Sequence, residues 1–476
     1  WVFLPFYSRS MVYTMPEFLE RRYNPQSRTI LSVISLVSYV LTKVAVTVYA
    51  GGLVFQQVFG IKELWGIDFF WIAAIGLVVL TALYTIFGGM KSVLYTSVLQ
   101  TPILLLGSLI ILVLGFKELG GWDEMMRVCG AVTVNDYGDT MTNLIRSNDD
   151  ANFPWLGALI GSAIIGFWYW CTDQFIVQRV LSGKNEKEAR RGTIFGAYLK
   201  LLPVFLFLIP GMIAFALHQK YIGAGGEGFL PMLANGTANA DAAFPTLVAK
   251  LLPAGVKGLV VCGILAALMS SLASLFNSSA MLFTIDFYKR FRPETPEKKL
   301  VGIGQIATVV IVILGILWIP IMRSVGDVLY TYLQDVQSVL APGIAAAFLL
   351  GICWKRTSAQ GGMWGLIAGM IIGLTRLGAK VYYSNAGEVA DSTFKYLFYD
   401  MNWLFFCGWM FLFCIIVVIV VSLATEAPTA EKIQGLVFGT ATKEQKAATR
   451  ASWDHWDIIH TVIILAITGA FYWYFW

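Results

Sequence analysis

Apolar stretches of bilayer-crossing length alternate with polar loops along almost the whole chain. About 20 consecutive apolar residues cross the hydrocarbon core as a helix. By that measure about eleven spans are expected, at 28–59, 66–88, 93–116, 155–180, 191–217, 254–285, 299–322, 326–353, 360–383, 402–424 and 456–476. The pattern therefore predicts an all-α polytopic membrane protein, a single transmembrane domain over 1–476. The chain opens with Trp1 inside the apolar run Trp-Val-Phe-Leu-Pro-Phe, with no positive segment and no cleavage site. This is not a signal peptide. It reads as the tail of a helix, with further amino-terminal helices expected ahead of it.

Composition agrees: 57% of residues are hydrophobic and 13% charged, against about 25% charged in soluble domains. The net charge of +5 is no argument for nucleic acid, because basic residues collect in one alternate set of short loops. That set includes Lys91, Lys184, Lys187, Lys289, Arg290 and Lys443, whereas Lys62, Lys117, Lys220 and Arg323 are spread over the opposite, longer set. The first set is expected to be cytoplasmic, with the carboxyl terminus outside. The outside loops 117–153 and 218–253 read mainly as solvated connectors, the second with a sequon at Asn235. The six cysteines show neither metal-ligand spacing nor an obvious pair, so no disulfide framework is expected. Three histidines, at 218, 455 and 460, form no catalytic constellation, and the chain is not expected to be an enzyme.

The stretch from Leu265 to Asp286 carries hydroxyls at Ser270, Ser271, Ser274, Ser278 and Ser279. A helix turns once in about 3.6 residues, so Ser270, Ser274 and Ser278 share a face and Ser271 lies beside them. Small hydroxyl residues can be packing glue between membrane helices. The adjacent pair Ser270–Ser271 can equally supply the oxygen ligands that a hard cation wants.

Ionisable and polar groups within the spans are costly and mark candidate sites. Gly166-Phe-Trp-Tyr-Trp-Cys-Thr-Asp-Gln places three rings and then Asp173 at mid-span, as in an interrupted helix lining a cavity. Rings beside hydrogen-bonding groups suit a sugar, which offers an apolar face and hydroxyls. Lys200, mid-span before Pro203, requires a partner. Asp173 is one available carboxylate, and a structural pair and a solute contact are open alternatives. Gln334 can donate and accept, to a hydroxylated ligand or to a neighbouring helix. Asp335 should face water or a basic group. Lys43 is a cavity residue or a packing oddity.

These segments together resemble the sodium/solute symporter family, specifically its sodium–sugar cotransporter branch. The carriers are Tyr13-Thr-Met-Pro-Glu-Phe-Leu-Glu-Arg-Arg-Tyr, Ala82-Leu-Tyr-Thr-Ile-Phe-Gly-Gly, Trp168-Tyr-Trp-Cys-Thr-Asp-Gln-Phe-Ile-Val-Gln-Arg, Ala267-Leu-Met-Ser-Ser-Leu-Ala-Ser-Leu-Phe-Asn-Ser, and Ala345-Ala-Ala-Phe-Leu-Leu-Gly-Ile-Cys-Trp-Lys-Arg, in this order. The resemblance implies two inverted five-helix repeats plus accessory helices, and alternating access driven by a sodium gradient. It implies sodium ligation by the Ala267 carbonyl with Ser270 and Ser271, and a sugar site using Tyr169, Trp170, Lys200 and Gln334. Tyr169 would be the inner gate ring and Tyr330 an outer-gate aromatic. Members with a second sodium site place an aspartate after Tyr-Thr; here Tyr95-Thr96 is followed by Ser97, and Ala273 stands where some carry a hydroxyl. One sodium per sugar is therefore expected.

The expected function is sodium-coupled symport of a glucose- or galactose-like sugar across the cell membrane, with sodium, sugar and membrane lipid as partners. The alternatives are a symporter of inositol, an organic acid or an amino acid, and a sugar sensor that does not transport.

Overall fold

The computed structural model describes the backbone of residues 1–233, 236–325, 328–386 and 390–475, and their side chains apart from those of 84, 86–94, 96, 99 and 323–325. The side chains of Lys91, Thr96 and Arg323, and residue Asn235, thus lie outside the described residues. Helix dominates, and among the described residues the only sheet is a hairpin pairing Glu63–Leu64 with Ile67–Asp68. Helix starts follow local chemistry. Thr14 accepts from the Glu17 amide ahead of Met15–Arg22, and Asn24 from the Ser27 amide ahead of Pro25–Ser38. Both helices also carry a proline in their first two positions, where its missing amide is no loss.

Ten helices among the described residues are long and apolar enough to cross a membrane: Pro25–Phe59, Gln100–Leu119, Trp155–Thr172, Glu186–Gly223, Ala254–Phe291, Glu297–Met322, Leu329–Cys353, Ala359–Asn385, Trp403–Ala424 and His455–Tyr474. The expected spans 66–88 and 93–116 run together in one backbone helix, Phe69–Leu119, of 51 residues. Its first part contributes the shorter apolar segment Phe69–Leu83. Between 84 and 94 there is no proline, and a helical glycine costs only about 1 kcal/mol, so Gly88 and Gly89 do not end the helix. Several spans contain π-helical turns, at Tyr39–Val44, Trp168–Thr172, Val204–Leu208 and Leu282–Tyr288.

The chain divides into two compact units. The first comprises Trp1–Lys43, Asn148–Gly196 and Ser278–Ala466. Its centre is Leu329–Cys353, buried almost continuously from Asp335 to Phe348. Ala359–Asn385 and Trp403–Ala424 pack against it. The close approach comes from Gly361, Gly365, Gly369 and Gly373, spaced one turn apart. A Cβ on Gly369 would lie 2.7 Å from the Gly343 Cα, and one on Gly373 2.3 Å from the Val339 carbonyl oxygen. This small-residue stripe brings backbones together where lipid offers no hydrophobic drive for association. Arg22 and Tyr23 close the end of the central helix. Arg22 Nε donates to the Gly351 carbonyl at 2.7 Å, and the Tyr23 hydroxyl to the Ala347 carbonyl at 2.7 Å.

The second unit comprises Val44–Ser147, Ala197–Asn277 and Ile467–Trp476. Its core joins Ile111, Leu119, Ile213, Leu217, Val260 and Ile264. The serine helix Ala254–Met281 approaches Phe69–Leu119 at Gly107, where a Cβ would meet Val260 Cγ2 at 2.9 Å. Apolar side chains such as Leu106, Leu109 and Val113 remain exposed along the membrane-length segment Gln100–Leu119, as lipid contact requires.

The glycine stripe yields a direct test. Gly369→Ala should destabilise the solubilised protein by about 1–3 kcal/mol, since its methyl meets backbone and not a yielding side chain. Gly378→Ala, on the same helix with open space around it, should leave the thermal midpoint unchanged or raise it. Equal midpoints for the two variants would contradict the close-approach interpretation.

Candidate functional site

In the first unit the helix Trp155–Phe167 passes into the π-turn Trp168–Thr172 and then stops. Asp173 is extended (φ −79°, ψ 123°), and its carboxylate accepts from the Phe175 amide to start Gln174–Leu181. The expected interruption is therefore real, and it falls on the aromatic cluster. Tyr169 is half-buried and Trp170 is 50% exposed. Their rings meet edge to face, centroids 5.1 Å apart. The turn packs against Leu329–Cys353, whose first residues include the other two expected solute residues of this unit. There Gln334 Nε2 donates to the Tyr330 hydroxyl at 2.9 Å. Tyr330 is exposed and Gln334 half-buried.

Asp173 has a different partner from the one suggested by depth in the sequence. It forms a buried ion pair with Lys43 and accepts from the Tyr39 hydroxyl at 3.0 Å. Lys43, expected as a cavity residue or a packing oddity, neutralises Asp173. Lys200 belongs to the second unit, as an exposed residue three positions before Pro203 on Glu186–Pro203.

The expected sodium ligands lie together on the serine helix of the second unit. Ser270 is buried, Ala267 half-buried and Ser271 exposed. Ser270 Oγ lies 2.6 Å from Ser97 Oγ, and Ser274 Oγ donates to the Ser270 carbonyl at 3.0 Å. The residue expected to weaken a second cation site therefore bonds to a candidate ligand of the first. Ser270, Ser97 and the Ala267 carbonyl are all neutral oxygen donors, a set suited to a hard monovalent cation. Ser274, one turn on, is spent on a backbone bond. Ser278 and Ser279 are buried and belong to the first unit.

Two further buried charge clusters are present, and the sequence had pointed only to Asp335. Asp286 accepts from Thr14 Oγ1 at 3.1 Å and from Arg28 Nε at 2.7 Å, and Arg28 also reaches Glu20 at 2.6 Å. Asp335 pairs with Lys380 and with Arg376, the latter at 3.6 Å. Arg376, fully buried, donates to the Met401 carbonyl at 2.7 Å and lies over the Phe406 ring. The basic alternative expected for Asp335 is the one observed. The available signal was the cost of each intramembrane charge, which demands partners without naming them. Nearer the chain start, burial pushes the Arg22 guanidinium below its usual range and the Tyr23 hydroxyl up to about 12. Both act as fixed hydrogen-bond donors.

The model of the sodium:solute symporter family matches residues 1–369. The chain is 36% identical over 497 residues to the sodium/mannose cotransporter SLC5A10 of Bos taurus, spanning 100% of this chain and 82% of that protein. It is 35% identical over 452 residues to the sodium/myo-inositol cotransporter 2 of Homo sapiens and 37% identical over 443 residues to the sodium/glucose cotransporter 1 of Ovis aries. These matches cover 92% and 90% of this chain, and the chain spans 66% of the length of each of those two relatives. Its fold is shared with the substrate-bound outward-open state of a Na+-coupled sialic acid symporter, at a TM-score of 0.67 and 21% identity over 90% of this chain and 81% of that one. The all-α polytopic fold expected above is therefore that of a sodium-coupled symporter. By family match, relatives and fold together, this multi-pass membrane protein belongs to the sodium:solute symporter family.

Proposed function

We propose that the protein couples entry of a neutral, polyhydroxylated solute to the sodium gradient by alternating access, with a hexose of the glucose or galactose type as the leading substrate. The observation that carries this reading is the helix break that presents Tyr169 and Trp170 beside a packed helix bearing Gln334 and Tyr330. A ring face is complementary to the C–H face of a sugar, and amide and phenol groups match its hydroxyls. The carboxylate nearest the rings, Asp173, is already neutralised by Lys43, which favours an uncharged solute over an ionic one. A cyclic polyol has the same recognition chemistry, and the named mannose, inositol and glucose relatives support a sugar-like class without selecting a member.

Sodium would be held by the Ala267 carbonyl and the hydroxyls of Ser270 and Ser271. Lys200 is assigned to the solute path, with a cationic donor's preference for hydroxyl oxygens. Coupling is mutual: a sodium ion that favours the solute-binding state is itself bound more tightly, by the same factor, once solute is present. The membrane potential adds about 2.3 kcal/mol per charge per 100 mV. No catalytic chemistry is assigned.

Labelled glucose, galactose, mannose and myo-inositol offered to proteoliposomes of the full-length protein, with and without a sodium gradient, test the reading. Sodium-driven accumulation of at least one is expected; uptake indifferent to sodium overturns it, and binding without accumulation identifies a sensor. In the same assay Ser271→Ala and Ser270→Ala should each raise the sodium concentration for half-maximal uptake by about tenfold, the loss of one oxygen contact to a cation. Gln334→Ala should weaken solute by about the same factor while leaving the sodium value near that of the parent. Unchanged values in all three variants would dismiss the site assignment. The ratio of sodium to solute flux is expected to be one, because Ser97 offers a second site a neutral hydroxyl in place of a carboxylate and Ala273 offers it no oxygen; a ratio of two would show that site to be intact.

A further inference from the structure

We propose that Lys43 is a positioning residue for the aromatic platform of Tyr169 and Trp170, acting through Asp173 and through the face of the Tyr169 ring. The inference rests on the reading of those two rings as the solute-stacking surface.

Lys43 lies within the π-helical turn Tyr39–Val44, and the platform lies within the π-turn Trp168–Thr172. A π-turn widens the helix and alters where successive side chains project. The two turns are linked side chain to side chain. The Lys43 ammonium pairs with Asp173. The Tyr39 hydroxyl donates to Asp173 Oδ1 at 3.0 Å and accepts from the Phe175 amide at 3.0 Å. Asp173 is the residue at which the platform helix stops and the next begins, so Lys43 and Tyr39 hold the break itself.

The same ammonium also holds the rings. It lies 5.3 Å from the centroid of Tyr169, 5.8 Å from Trp168, 4.8 Å from Tyr39 and 4.3 Å from Phe175. A cation within about 6 Å of a ring face is attracted by its quadrupole, most strongly when water is excluded. Tyr169 is thus fixed on one side by Lys43 and on the others by edge contacts with Trp168 and Trp170. The lysine-bearing turn is anchored in its own right, because the Tyr332 hydroxyl donates to the Leu41 carbonyl at 2.9 Å and accepts from Trp318 Nε1 at 2.6 Å. A buried ion pair is often no more stabilising than apolar residues of similar size, so stability alone does not explain this one. An ordered ring orientation does.

The test separates position from stability. Lys43→Met alone leaves Asp173 buried and uncompensated, so the double variant Lys43→Met/Asp173→Asn is the informative one, with sodium-driven uptake into proteoliposomes as the assay. The double variant should keep the parent's thermal midpoint and its sodium half-saturation at saturating solute. Its half-saturation for labelled glucose, galactose, mannose or myo-inositol, whichever is accumulated, should rise by about tenfold. Parent-like solute half-saturation in the double variant would overturn the positioning role and leave a purely structural pair. If the double variant does not fold, Phe175→Leu removes the ring nearest the ammonium without touching the platform. It should raise solute half-saturation by about threefold with the sodium value unchanged, and no change would overturn the proposal. Tyr169→Ala is run in parallel. A large solute defect there with a parent-like double variant defeats positioning alone, whereas no defect in Tyr169→Ala defeats the platform reading and this proposal with it.

Discussion

A charge placed where water is excluded must find its opposite inside the protein, and in the first unit that requirement fixes the local architecture. Asp173 stands at the end of an interrupted helix and is neutralised by Lys43, with Tyr39 completing its shell. Breaking such a pair by removing one partner leaves an uncompensated buried charge, at a cost of about 3–5 kcal/mol. The helix break therefore cannot drift without separating the pair. Because the rings of Tyr169 and Trp170 sit on the turn just before Asp173, the electrostatic constraint on one residue becomes a geometric constraint on its neighbours. Asp286 with Arg28, and Asp335 with Arg376 and Lys380, repeat the arrangement on other helices of the same unit.

The second unit works with weaker donors. Its candidate ion ligands are neutral oxygens on one helix face, and one of them, Ser270, shares its hydroxyl with Ser97. Neutral oxygens bind a monovalent cation without the deep well that carboxylates would create. A transported ion must leave as readily as it arrives, so a shallow site is suited to turnover. The contrast between the units is chemical: buried ion pairs hold shape in one, and the candidate ligands in the other are neutral oxygens.

The helical, polytopic character was legible because span length and loop polarity are set by the bilayer itself. So was the interruption near Asp173, where Gly166, three adjacent aromatic residues and a carboxylate do not suit a lipid-facing helix. The partner of Asp173 was not legible. Lys43 and Lys200 are both lysines at mid-span, and nothing local distinguishes them; the choice is made by folding over a separation of 130 residues. Ser97 was recognised for the aspartate it replaces, but its contact with Ser270, 173 residues away in sequence, is tertiary. Gly361, Gly365, Gly369 and Gly373 did carry a readable four-residue spacing, hidden in a chain of 45 glycines. The loop around Lys91 was expected from its charge between two apolar spans, yet the backbone helix runs through it from Phe69 to Leu119.

The helix Leu329–Cys353 meets the glycine stripe backbone to backbone at Val339 and Gly343, more than two turns beyond Leu329 and Tyr330 in its first turn. Tyr330 is exposed in that turn, and Gln334 lies just before the continuously buried stretch that starts at Asp335. Such a division separates two kinds of sequence change. Substitutions along Val339 and Gly343 enter an interface with no spare volume and are filtered by folding. Substitutions at the exposed Tyr330 meet no such filter, so if the proposed solute site is right they are open to selection for a different solute. A scaffold of this kind can diversify its specificity through a few positions while its core stays fixed.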